Sequence, residues 1–171
     1  MKRFFISIAF IFAGLAMMNA QSFAFEGKED LKLNIGANFQ SKGGGIISSL
    51  DYGLGESFSV GVQAGYLLSV SEIAGITGAG FTDKLDMKVR ASAHLGQVLN
   101  LLDNLDIYPG LNLGLRNFGL HLGARYFFDG GFGVFSEIQF PIARYKTDAV
   151  NYDKLNNQFS FSIGASFDLN M

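Results

Sequence analysis

The stretch Gln158-Phe159-Ser160-Phe161-Ser162-Ile163-Gly164-Ala165-Ser166-Phe167-Asp168-Leu169 puts an apolar side chain at every odd position and a polar residue or glycine at every even one. Side chains alternate with period two along a strand, whereas a helix would scatter these phenylalanines around its circumference. The same beat recurs upstream. Leu31, Leu33, Ile35, Ala37 and Phe39 face away from Lys32, Asn34, Gly36, Asn38 and Gln40. Phe58, Val60, Val62, Ala64 and Tyr66 oppose Ser59, Gly61, Gln63 and Gly65, and Leu85 to Leu95 repeats the pattern around Asp86, Lys88, Arg90, Ser92 and His94. Eight such runs fall at about 31–40, 46–54, 58–68, 84–96, 106–116, 119–128, 132–142 and 157–170. Most approach the ~9 to 11 residues that a tilted strand needs to cross a bilayer.

The connections alternate as well. Gly55-Glu56-Ser57 and Asp129-Gly130-Gly131 read as tight turns, while 69–83 and 143–156 are long; counting upward from a periplasmic N-terminus places the long ones outside the cell. Asn117-Phe118 reads as a tight outer turn and Gly43-Gly44-Gly45 as an outer hairpin turn, lacking the lysine and helix of a phosphate loop. In the connection 97–105, Val98, Leu101, Leu102 and Leu105 have the spacing of a short interfacial helix, an irregular turn being the alternative. Turn chemistry sets three registers: Leu54 with Phe58, Leu115 with Leu120, and Phe128 with Phe132, each keeping apolar residues opposite apolar ones. Pro109, which lacks an amide hydrogen, requires a bulge or a later start to the fifth strand.

The contents of the two faces decide which one meets lipid. Gly36, Gly53, Gly61, Gly65, Gly96, Gly110, Gly114, Gly119, Gly123, Gly133 and Gly164 all fall on the polar face, as a cramped eight-stranded interior demands. A soluble cup would crowd Phe, Tyr and Leu inward instead. The aromatics form two girdles: Phe39, Tyr66, Phe140, Phe159 and Phe161 at one rim, and Tyr52, Phe58, Tyr126, Phe128, Phe132 and Phe167 at the other. Leu33, Ile35, Val60, Val62, Leu122, Val134, Ile138 and Ile163 fill the band between them, although the tryptophan usual in girdles is missing. The expected fold is an all-β, eight-stranded antiparallel up-and-down transmembrane β-barrel after a cleaved signal peptide.

Lys2 and Arg3, the apolar run from Phe4 to Met18 and the close at Asn19-Ala20 read as a secretory signal over residues 1–20. A leader over 21–30 and a barrel over 31–171 follow. Losing Lys2 and Arg3 takes the formal net charge from −2 to −4. At 49% hydrophobic and 16% charged, the 171-residue chain is too apolar to be disordered, and it offers no basic excess to nucleic acid. Without cysteine it has no disulfides, thiolate metal sites, cysteine nucleophile or cysteine-linked lipid.

The signal ending Asn19-Ala20-Gln21, the stretch Gly123-Ala124-Arg125-Tyr126-Phe127-Phe128 before a tight turn, and the amphipathic last strand resemble the small outer-membrane barrels of OmpX and opacity-protein type, in a compact form such as Bacteroidetes produce. The resemblance covers about 30–171. It implies the outer membrane of a Gram-negative bacterium, export by the Sec route, and insertion by the barrel assembly machinery. Met171 stands where many such barrels end in phenylalanine, leaving Phe167 and Leu169 to serve for recognition.

Lys32, Asp51, Asp86, Lys88, Arg90, His94, His121, Arg125 and Glu137 point inward, where charges must be paired or hydrated. Arg125 lies diagonal to Glu137, and Asp86, Lys88, Arg90, His121, Arg125 and Glu137 are expected to form a structural polar network. Some barrels resembling this one are lipid hydrolases or acyltransferases, which need an activated serine, a histidine base and an orienting carboxylate. His121, diagonal to Glu137, supplies half of that kit, but no motif singles out a serine, so no catalysis is expected. Filled by Phe127, Phe135 and Arg90, the lumen leaves no pore. Two histidines on unrelated strands make no metal site, and no cofactor is implied. Arg144, Tyr145, Lys146 and Tyr152 are the surface-loop candidates, suited to an extracellular protein or glycan. The expected role is structural or surface-interacting, with outer-membrane lipid as surroundings. A soluble periplasmic lipocalin-like binder and a lipid A-modifying enzyme are the alternatives.

Overall fold

A computed structural model of the protein describes residues 23–41, 43–71, 78–96, 98–99, 102–128, 131–145 and 155–170. The segment read as a signal peptide lies outside them. Eight strands run β1 (Leu31–Gln40), β2 (Gly43–Gly55), β3 (Phe58–Val70), β4 (Leu85–Ala93), β5 (Leu105–Gly114), β6 (Asn117–Phe127), β7 (Phe132–Arg144) and β8 (Ser160–Asp168), with one helical turn, α1 (Phe81–Lys84), before β4. Each strand pairs antiparallel with its neighbours in sequence, and β8 returns to β1, closing the barrel. Closure leaves no unpaired edge among the eight strands. One end carries the connections β2–β3, β4–β5 and β6–β7 and the N-terminal strap 23–30. We term it the turn end and the opposite one the loop end.

The two faces separate as the alternation demands. On β8, Ser162 and Ser166 are sealed from solvent while their neighbour Ile163 is 49% exposed. Outward aromatics gather in touching clusters at both rims. Phe39 meets Phe161 and Phe140 meets Phe159 at the loop end, with centroids 6.5 and 5.1 Å apart. Tyr126, Phe128, Phe132 and Phe167 form a continuous row at the turn end. Ile35, Val60, Val62, Leu122, Val134 and Ile163 stand exposed between the clusters.

Glycine lets large inward side chains fit. A Cβ on Gly123 would lie 2.2 Å from the Tyr108 ring, and one on Gly110 2.5 Å from the His121 ring, so both glycines are sockets. Gly44 breaks the rule that strand glycines face inward. β2 begins at Gly43, so Gly43-Gly44-Gly45 is paired strand rather than a hairpin turn, with a register shift between Gly44 and Gly45.

Two of the expected registers hold: Tyr52 lies opposite Val60, Leu50 opposite Val62, and Tyr126 opposite Val134. Phe58 itself is matched with Gly55 rather than Leu54, because the ladder slips at the turn. Between β5 and β6 the expectation fails by four residues. Leu113 faces Phe118 and Leu111 faces Leu120, so Asn117-Phe118 belongs to β6 and the turn is Leu115-Arg116. The slide is even-numbered, so no side chain changes face. Long-range bonds favour it: the buried Asn117 amide donates to Asn156 O at 2.8 Å, and Arg116 reaches Thr82 O at 2.7 Å.

Pro109 sits within β5 without a bulge. Leu95 N donates to Ile107 O, so by alternation the nitrogen of Pro109 also points toward β4. There the continuous ladder stops, running only from Lys88–Gly114 to Ser92–Gly110, while Pro109 remains matched with Leu122 on β6.

The strap closes the turn end. Ala24 N donates to Asp103 O, Glu29 N to Gly53 O, and Gly53 N to Asp30 O. Gly27 holds φ +99°, a conformation that favours glycine.

Candidate functional site: an ion-paired lumen

Every inward residue of the expected network is buried, but the partners differ in detail. Arg90, midway along β4, spans the lumen. Its Nη2 lies 2.7 Å from Glu137 Oε2 on β7, its Nη1 donates to Gln63 Oε1 at 3.2 Å, and its Nε is 3.1 Å from Asp51 Oδ1 on β2, an ion pair outside hydrogen-bond geometry. Arg125 is not held by Glu137. From β6 it turns to Asp106 on β5, with Nε donating to Oδ2 at 3.3 Å, and its guanidinium lies 4.5 Å over the Tyr108 ring. The loop-end layer is Lys88, 3.2 Å from Asp86 and donating to Gln139 Oε1 at 2.7 Å. At the turn end Lys32 bridges Asp30 at 3.0 Å and Asp168 at 2.7 Å.

Among the described residues, six buried carboxylates (Asp30, Asp51, Asp86, Asp106, Glu137, Asp168) face four buried cations (Lys32, Lys88, Arg90, Arg125). The space a soluble ligand-binding cup would reserve for its ligand is therefore taken by charges committed to one another, interleaved with Tyr108, Phe127 and Phe135. Such a lumen is a packed core, dense enough that each guanidinium meets partners from different strands.

His121 does not pair with Glu137. Its Nε2 lies 2.9 Å from Ser92 Oγ, and its Nδ1 has no hydrogen-bond partner. The second histidine is better provided. His94 Nδ1 lies 2.6 Å from Asp106 Oδ2, and Nε2 lies 2.8 Å from Ser59 Oγ. A carboxylate only accepts, so the Nδ1 proton points to Asp106, leaving Nε2 to accept from the Ser59 hydroxyl. All three side chains are buried, and Phe25 of the strap lies face to face on the imidazole with centroids 3.6 Å apart. Ser59 and Asp106 escaped the reading of the sequence because each sits near a strand end, without a flanking motif. The alternation phase through Asp106, Tyr108 and Gly110 was the available signal.

Of the surface candidates, Arg144 is the last residue of β7 rather than part of a loop, and Tyr145 follows it, exposed, with its amide donating to Arg116 O. Lys146 and Tyr152 lie outside the described residues. Beyond them, Asn156 links the loop end, accepting from Asn117 and reaching Asp83 O and Lys84 O at 3.4 and 3.3 Å.

The sequence matches a family of unknown function, DUF6646, over residues 13–169. The chain belongs to that family. No curated protein matches it. Among solved structures, this DUF6646 barrel is similar to a chain from the de novo design of transmembrane β-barrels, at 10% identity and a TM-score of 0.55, covering 84% of this chain and 98% of that one. A designed barrel shares the fold without shared ancestry, so the likeness reports the architecture: a closed, up-and-down barrel of the transmembrane kind.

Proposed function

We propose that the protein is a small outer-membrane barrel of a Gram-negative bacterium, of the OmpX and opacity-protein type, with a structural or surface-interaction role. One observation carries this reading. An aliphatic band stands exposed between two aromatic clusters, around a lumen filled by ion pairs. In water that band would be a large apolar surface of the sort that drives association, whereas in a bilayer it meets hydrocarbon. This reading includes export through a cleaved signal over 1–20, supported by Lys2, Arg3 and the apolar run from Phe4 to Met18, and insertion by the barrel assembly machinery. The turn end then faces the periplasm and the loop end the exterior, where residues 71–84 and 145–159 meet a protein or glycan. The Arg90–Glu137 core is a packing device, with no turnover or conduction assigned to it.

Fractionation of cells expressing the full chain tests this directly. The protein should enter the outer-membrane fraction, need detergent for extraction, and migrate as a heat-modifiable band. An epitope in 146–154 should be cleaved by protease added to whole cells. Recovery in the aqueous periplasmic fraction would overturn the reading. Reconstituted in planar bilayers, the protein should show no stable conductance step.

A further inference from the structure

Among the described residues the turn end holds two serine–histidine pairs, of which one is completed by an acid. Ser59 on β3, His94 just past β4 and Asp106 on β5 are hydrogen-bonded in the order hydroxyl, imidazole, carboxylate, at 2.8 and 2.6 Å. Asp106 is itself fixed, accepting from Arg125 Nε at 3.3 Å and from Gly96 N at 3.4 Å. Ser92 and His121, one strand pair further in, lack the third member. A cavity of about 320 Å³ opens beside His94 and Asp106, walled by Phe23, Phe25, Leu102 and Leu105, with Glu56 and Asp103 also lining it; Ser59 is not part of its wall and adjoins it through its bond to His94. Its size falls at the lower end of the ~300 to 1,000 Å³ typical of small-molecule sites.

We propose that Ser59, His94 and Asp106 form a latent ester-hydrolysing site, covered by the strap and opened when Phe25 leaves the His94 ring. Ser59 and His94 are the catalytic pair, and Asp106 is the positioning residue that holds the imidazole in the tautomer able to accept a proton. As Ser59 Oγ bonds to the ester carbonyl carbon, its proton passes to His94 Nε2. Collapse breaks the bond from that carbon to the alkoxy oxygen, and His94 returns the proton so that an alcohol leaves. Water then attacks the acyl-serine and gives a proton to Nε2; the acid departs, and the proton returns to Ser59. The apolar walls suit a short acyl chain. Glu56 and Asp103 disfavour an anionic substrate, so the fitting class is a neutral or cationic carboxylic ester.

In the closed arrangement Ser59 is 2% exposed and Phe25 6%. The part of the strap around Phe25 is tied by Ala24 N to Asp103 O at 2.8 Å and by Glu26 N to Asp30 Oδ2 at 2.9 Å, and its far end by Glu29 N to Gly53 O. Replacing Phe25 should therefore uncover the His94 ring, to which Ser59 is hydrogen-bonded, while leaving the paired strands of the wall in place.

The test uses the full chain folded in detergent micelles, an alkyl fluorophosphonate probe and peptide mapping of the adduct. Wild type should label slowly at Ser59, and Phe25→Ala at least tenfold faster. Ser59→Ala should abolish labelling, and His94→Gln should slow it roughly 100-fold or more, the scale of a lost general base. Ser92→Ala should label like wild type. Heat-modifiable migration establishes that each variant is folded, and if Phe25→Ala does not fold, prolonged labelling of the wild type decides. The proposal is overturned if folded wild type and Phe25→Ala carry no adduct at Ser59, or if His94→Gln labels as fast as wild type. Adduct on Ser92 instead would overturn it equally.

Discussion

Placing arginine at Ile163 tests the assignment of faces where its cost is largest. Ile163 lies mid-strand on β8, opposite Ala37 on β1 and Ser136 on β7, and is 49% exposed on the outward face. If that face meets hydrocarbon, a guanidinium there lies near the bilayer midplane and costs about 2 to 4 kcal/mol, whereas at a rim the same change costs about 0 to 1 kcal/mol. Leu115, in the β5–β6 turn at the loop end and 69% exposed, is the rim control. At about 1.4 kcal/mol per tenfold, Ile163→Arg should lower the folding equilibrium constant roughly 30- to 700-fold, and Leu115→Arg by less than about sixfold. Reversible urea titration in lipid vesicles, followed by the shift between folded and unfolded gel bands, measures both. A depth-independent penalty, or a loss at Ile163 below about 0.5 kcal/mol, would refute the reasoning, because exposure alone carries no gradient.

Three further outcomes follow from the lumen. Arg90→Ala strands Glu137 and leaves Asp51 only Arg125 Nη1 at 3.8 Å, and should cost about 3 to 5 kcal/mol in the same titration. Arg90→Lys should recover only part of that loss, since an ammonium cannot span both Glu137 oxygens as the guanidinium does. Gly123→Ala drives a methyl into Tyr108 and should cost about 1 to 3 kcal/mol; adding Tyr108→Leu should make the pair cheaper than the sum of the two single changes, a coupling read from a double-mutant cycle.

Much of this architecture was legible in residue order because the two faces of a closed barrel follow a nearly binary code. Most outward positions are apolar and most inward ones small or polar, with Phe127 and Phe135 inside and Ser136 outside as exceptions, and on β8 this fixes Ser162 and Ile163 without reference to any other strand. Strand pairing was less legible. Leu113 satisfies the code opposite either Phe118 or Leu122, and what selects Phe118 is the Asn117–Asn156 bond, which joins residues 39 apart. The identity of charged partners was hidden for a related reason. Arg125 and Glu137 are near in register, yet Glu137 is taken by Arg90, 47 positions away across the lumen. Neighbours on a strand pair can be read from spacing. Contacts through the middle of a closed ring depend on its diameter and stagger, which no local pattern encodes.

The proline in β5 has a mechanical consequence. Eight seams join this ring, and they act in series, so parting any one of them opens the whole. Nine or more matched positions join β1 to β2 and β8 to β1, but only the run from Lys88 to Ser92 continuously zips β4 to β5. Under tension or thermal strain the wall should therefore tear first beside Pro109, and among the wall's amides those of Val89 and Ala91, which face this seam, should exchange fastest.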